Sequence, residues 1–86
     1  MPRLSQFYGI VIYMYYRDHA PPHFHAICGE DEAAIVIATG AILAGSLPRR
    51  ARTMVEDWVA RHRAELQADW DLAVASQPLI PVPPLP

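Results

Sequence analysis

Lysine is absent from this chain, cysteine occurs once, and nowhere do about 18 apolar residues run without interruption. Each lack excludes something. Lone Cys28 rules out an internal disulfide and a thiolate metal cage, and it fits a reducing compartment, so a cytoplasmic protein is expected. The opening Met1-Pro2-Arg3-Leu4-Ser5 has no apolar core followed by a small-residue cleavage site, so neither a secretory leader nor a membrane partner is expected. There is no glycine-rich phosphate loop, no nucleophile elbow and no paired-cysteine zinc site. The seven basic residues, all arginine, are outnumbered by nine acidic ones, giving a net charge of -2. With a pI near 6.0 the chain carries no global basic field, and any contact with nucleic acid has to be local.

What is present describes one small globular domain. The 86 residues are 52% hydrophobic and 19% charged, far from the composition of a disordered chain. A chain of this length hides only about 60–65% of the surface it exposes when unfolded. A homo-oligomer or a dedicated protein partner is therefore expected to cover part of the remainder.

Phe7 to Tyr16 is dense in β-branched and aromatic residues and reads as a strand. Both of its faces are apolar, with Tyr8, Ile10, Ile12, Met14 and Tyr16 on one and Phe7, Val11, Tyr13 and Tyr15 on the other. That pattern fits a central strand, or one whose second face meets another subunit through Tyr13 and Tyr15. After a polar loop closed by Pro21-Pro22, strands are expected at His23 to Cys28, Ala33 to Ala38 and Ala41 to Ala44. At Ser46-Leu47-Pro48 the period changes to that of a helix, with Ser46 or Leu47 near the N-cap and Pro48 in the first turn. The helical pattern runs to Pro78, either as one kinked helix or as two broken near Arg63. The prolines from Pro78 to Pro86 impose an extended tail, either frayed or docked through Leu79, Ile80, Val82 and Leu85. The expected fold is thus α+β, an antiparallel meander of three to four strands and a C-terminal helical segment in residues 1–77, with a proline-rich tail at 78–86.

Chemistry concentrates in Asp18-His19-Ala20-Pro21-Pro22-His23-Phe24-His25. On a strand His23 and His25 point to the same face while Phe24 points to the other. Two neighbouring imidazoles share a divalent metal, or serve one as base and the other as acid; the plain alternative is a rigid loop held by hydrogen bonds to backbone and Asp18. His62 and Glu65 project from one side of the helix, and if it crosses the sheet they complete a set of His23, His25, His62 and Glu65 suited to zinc, iron or manganese. A buried, backbone-bonded His62 is the alternative. Arg49, Arg50 and Arg52 crowd the first helical turn against the macrodipole and, with Arg61 and Arg63, form either an arginine edge for phosphate or an acidic partner, or simply a solvated face. Trp58 and Trp70 read as core anchors.

Four segments, Ser5-Gln6-Phe7-Tyr8-Gly9-Ile10, Pro22-His23-Phe24-His25-Ala26, Val55-Glu56-Asp57-Trp58 and Glu65-Leu66-Gln67-Ala68-Asp69-Trp70, resemble the small bacterial family catalogued as domain of unknown function 4160. The resemblance covers almost the whole chain, and Val82-Pro83-Pro84-Leu85 echoes the family's Ile/Val-x-Pro-Leu ending with extra prolines. Genes of this family often sit beside one of another small family, domain of unknown function 2442, in an arrangement similar to toxin-antitoxin modules. The resemblance therefore implies a cognate small protein of that second type as partner, with RNA as a further candidate.

Three functional expectations follow. The first is a toxin-antitoxin-like component acting through its partner. If it is an enzyme, it is a metal-independent ribonuclease in which His23 and His25, aided by Asp18 and His19, move protons and an arginine offsets phosphate charge. No cofactor is expected in that case. The second is a metal-binding protein using the histidine and glutamate set. The third is a non-catalytic, homo-oligomeric interaction module built on Tyr13 and Tyr15.

Overall fold

The structure, a computed structural model, describes residues 2–86. Five strands, β1 (Arg3–Phe7), β2 (Ile10–Tyr13), β3 (His23–Cys28), β4 (Asp31–Val36) and β5 (Ile42–Gly45), precede a single helix, α1 (Arg49–Val74). The strands form one antiparallel sheet in sequence order, which makes the chain the α+β meander expected with one strand more.

The extra strand, β1, lies mostly ahead of the segment read as one strand from Phe7 to Tyr16, which turns at Tyr8-Gly9 and is a strand only over Ile10–Tyr13. Tyr8 and Gly9 both take positive φ, 49° and 79°, and close a tight hairpin between β1 and β2. The turn inverts side-chain parity, so that Phe7 pairs with Ile10 and both enter the core. β2 is a central strand, flanked by β1 and β3.

One face of the sheet is covered by α1. Phe7, Ile10, Ile12, Phe24, Ala26, Ala33 and Ile35 form a continuous core there with Val55, Trp58, Val59, Leu66 and Ala73 of the helix. Trp58 is the keystone, with Phe7 and Phe24 at ring distances of 5.5 and 5.6 Å. A straight helix of 26 residues would be about 39 Å long. The whole molecule is 33 Å in its longest dimension, so the helix must bend to stay on the sheet. It does so at His62, whose φ of -127° and ψ of 22° are not helical. The kink near Arg63 read from the sequence is therefore present, and Arg63 pins it by donating from Nε to the Ile37 carbonyl at 2.8 Å. The N-cap is Pro48 rather than Ser46 or Leu47, without a side-chain cap.

The proline tail is docked. Ile80 N–H donates to Asp69 Oδ1, Val82 N–H donates to the Leu4 carbonyl, and Trp58 Nε1 donates to the Pro83 carbonyl, each at 2.8 Å. Val82 is buried in the core cluster, and the tail lies along β1, covering that edge of the sheet. β5, at the other edge, carries no such cover among the described residues.

Candidate metal centre

The face of the sheet away from α1 carries the chemistry. Cross-strand pairing aligns Tyr13 with His25 and His25 with Ala34, and strand alternation adds His23 and Ile27 of β3 and Glu32 of β4 to the same side. The loop between β2 and β3 folds over one end of this face. It is tied to the end of α1, because Arg17, at φ 56°, donates its N–H to the Ala73 carbonyl at 3.3 Å and its Nε to Ser76 Oγ at 2.8 Å. Beyond it, the Ala20–Pro21 peptide bond is cis and the Pro22 carbonyl accepts Ile37 N–H, delivering the chain to His23 at the start of β3.

This path brings Asp18 against both histidines. His23 Nε2 lies 3.0 Å and His25 Nε2 3.4 Å from Asp18 Oδ2, and the three ligand atoms fall within 4.8 Å of one another. Donor atoms bound at 2.0–2.2 Å to one ion stand roughly 3.0–3.6 Å apart, so the two shorter separations match a shared coordination sphere. His23 Nδ1 donates to the Pro21 carbonyl at 2.7 Å; a carbonyl only accepts, and this fixes the tautomer. The Nε2 of a neutral His23 then presents a lone pair to a carboxylate that is itself an acceptor. One proton shared between the two groups, or a divalent cation between them, accounts for their approach. Backbone-anchored imidazoles of this kind are a usual second layer of support at metal sites.

His25 has a carboxylate behind it as well. Glu32 Oε2 stands 3.6 Å from His25 Nδ1, reached diagonally across the β3–β4 ladder. Tyr13 stacks on the His25 ring at 5.8 Å and Tyr15 meets it edge-on at 4.5 Å, holding the imidazole in plane. Burial, then the Tyr15 hydrogen bond and the Glu32 charge, push the Tyr13 hydroxyl well above its ordinary pKa and keep it protonated. For Asp18, burial works toward a raised pKa. The His19 backbone N–H at 2.8 Å, the His25 hydrogen bond and the charges of His23 and His19 outweigh it, and its carboxyl lies below the usual range. Asp18 is therefore a carboxylate under ordinary conditions.

A cleft of about 480 Å³ opens beside the cluster, lined by all three of these side chains and by Tyr15, Pro21, Leu43 and Ala44 among others. His19, 87% exposed, hangs at its mouth with Nδ1 3.0 Å from Asp18 Oδ1. His23 is only 3% exposed and packs on Trp70 at 5.3 Å.

Of the residues picked from sequence, Asp18, His19, His23 and His25 come together. His62 and Glu65 do not join them. They pair with each other at 2.6 Å on the helix, and the three-residue cluster of Asp18, His23 and His25 is the metal-competent group among the described residues. The expected four-ligand set fails because α1 covers the opposite face of the sheet. Arg50 donates to the Tyr8 carbonyl and so lies, with Arg49 and Arg52, at the end of the sheet marked by the β1–β2 turn. That end is opposite the His23 end of β3. Arg61 is engaged with Asp57. Tyr13 is 5% exposed, packed against His25 and Tyr15. Glu32 is the residue whose role was hidden, since it emerges only from the β3–β4 register.

Fold and site together define a small α+β domain whose helix seals one sheet face and whose other face presents a histidine–carboxylate cluster in a cleft. The chain belongs to the family described as Domain of unknown function (DUF4160), whose model matches residues 9–71. No curated protein and no solved structure matches it. Among the described residues no helix is long and apolar enough to cross a membrane.

Proposed function

We propose that this domain binds one divalent transition-metal ion through Asp18, His23 and His25 and presents it to a ligand in the adjoining cleft. Two imidazoles and one carboxylate suit zinc, iron or manganese and leave coordination positions open, the arrangement of catalytic rather than structural sites. The observation that carries the reading is the convergence of both Nε2 atoms on a single oxygen of Asp18, with His23 Nδ1 already committed to the Pro21 carbonyl. An ion held there supplies Lewis acidity and an activated water. The chain's part is to keep Asp18 charged, to fix the His23 ring from Pro21 and to steady His25 through Glu32, Tyr13 and Tyr15.

The same geometry weighs against metal-free RNA cleavage by the histidine pair. His23 is buried with both ring nitrogens engaged, and the arginines of the first helical turn lie at the far end of the sheet.

The test is elemental mass spectrometry on protein carrying no affinity tag, before and after loading with zinc and desalting. One ion per chain is expected, and none in a His23→Ala, His25→Ala variant whose circular dichroism is unchanged. A wild-type chain that emerges folded and metal-free after loading refutes the proposal.

A further inference from the structure

From the make-up of the cleft we infer that the metal centre takes an acyl ligand of at most one negative charge, an amide-, ester- or hydroxamate-type carbonyl with an apolar substituent, and discriminates against dianionic phosphate esters. The inference rests on the metal reading of Asp18, His23 and His25 and adds the chemical class of what approaches it.

Charge is the first argument. A divalent ion and Asp18 together carry one net positive charge, and Glu32, 3.6 Å from His25, offsets it. A dianionic phosphate would need a cationic side chain at the site. No arginine lines the cleft, and the chain has no lysine. Arg17, the arginine nearest in sequence, is turned to Ser76. Among the described residues the only further basic group on the wall is His19, which is paired to Asp18.

Shape and polarity are the second. Beyond the cluster the wall is built from Ala20, Pro21, Ala34, Leu43 and Ala44, with Tyr15 beside His25. Leu43 is 44% exposed on β5, a large apolar side chain left in the open beside charged ligands. An apolar substituent on the bound ligand covers it, while the carbonyl oxygen reaches the ion. Tyr15 and His19 are the remaining side chains with polar tips in the lining.

The probe set is the cobalt-loaded full chain, followed by its visible absorption, titrated with benzohydroxamic acid, acetohydroxamic acid and phenyl phosphate. Benzohydroxamic acid is expected to bind roughly tenfold tighter than acetohydroxamic acid, because its ring is taken off water by the apolar wall. Phenyl phosphate, with the same ring and a charged head, is expected to bind at least about tenfold more weakly than benzohydroxamic acid. Leu43→Asp is expected to erase the preference between the two hydroxamic acids while the cobalt spectrum stays that of wild type, and Leu43→Ala to reduce it. Equal affinity for the two hydroxamic acids, or phenyl phosphate binding as tightly as benzohydroxamic acid, overturns the inference and leaves the metal assignment standing. Failure of cobalt to give any protein-bound absorption overturns the metal assignment, and the inference with it.

Discussion

Replacing Asp69 by asparagine is expected to stabilise this protein at neutral and mildly alkaline pH and to do nothing in acid. Asp69 is 1% exposed; Oδ1 accepts the Ile80 N–H at 2.8 Å, while Oδ2 has no hydrogen-bond partner among the described residues. Burial raises its pKa above the ordinary 3.8, the Ile80 hydrogen bond works the other way, and the Glu65 charge raises it further. The folded state therefore holds the proton more tightly than the unfolded state. Stability from the neutral form is fully present below 3.8 and is lost as pH rises through the folded-state pKa, since ν_U − ν_N is negative in that window. Asparagine keeps the acceptor for Ile80 and removes the charge, beside a cavity of about 120 Å³ that Asp69 and Glu65 both line. Glu65 in turn is paired with His62, so those two groups and the tail complete the surroundings. A buried polar atom without a partner costs about 1–3 kcal/mol and a charged one more, so at pH 8 removal of the charge in Asp69→Asn should recover about 1–3 kcal/mol. With a urea slope near 1 kcal/mol per molar for so small a domain, the midpoint moves up by about 1–3 M. The assay is urea unfolding followed by tryptophan fluorescence from pH 4 to pH 8, for both proteins. Because other carboxylates titrate in both proteins, the difference between the two curves is the quantity to read. A difference that stays constant with pH, or that widens toward acid, refutes the reasoning.

Gly45→Ala should cost roughly 1–3 kcal/mol, since φ is 77° and a Cβ there would collide with the Glu32 carbonyl; thermal unfolding checks it, and an unchanged midpoint argues against the β4–β5 geometry described. Glu32→Ala should weaken zinc binding about tenfold without altering the fold, through loss of the carboxylate behind His25. Competition with a chromophoric chelator measures the change, and Glu32→Gln, which can still accept a hydrogen bond, should recover part of it.

The histidine site was legible in the sequence because its elements are local. Strand alternation alone puts His23 and His25 on one face, and Asp18 is near enough in the chain for a short loop to return it. The helix, its kink and the meander were likewise readable from period and breakers. Non-local relations were hidden. Apolar periodicity in α1 identifies a buried stripe but not which face of the sheet receives it, so His62 was free to be drawn to the wrong side. Glu32 became a partner of His25 only through cross-strand register. In the first strand the high density of aromatic and branched residues masked Gly9, and a tyrosine at positive φ is an unexpected companion for it in a hairpin turn. The tail offered apolar residues for docking, yet nothing in its composition named β1 as the edge it covers.

All three candidate ligands lie within eight consecutive residues, Asp18 to His25, and this bears on how strongly a metal can stabilise the fold. Ligands drawn from distant elements are scattered when the chain unfolds, and an ion then favours the folded state by its full binding free energy. Ligands this close in sequence stay within a small closed loop even in the denatured ensemble, at little entropic cost. On the proposed metal reading the unfolded chain would remain a chelator, so excess metal should raise the unfolding midpoint by less than the folded-state affinity alone dictates. The ion would then act chiefly on the order of the cleft rather than on the survival of the domain, whose core is closed by Trp58 and the proline tail on the other side of the sheet.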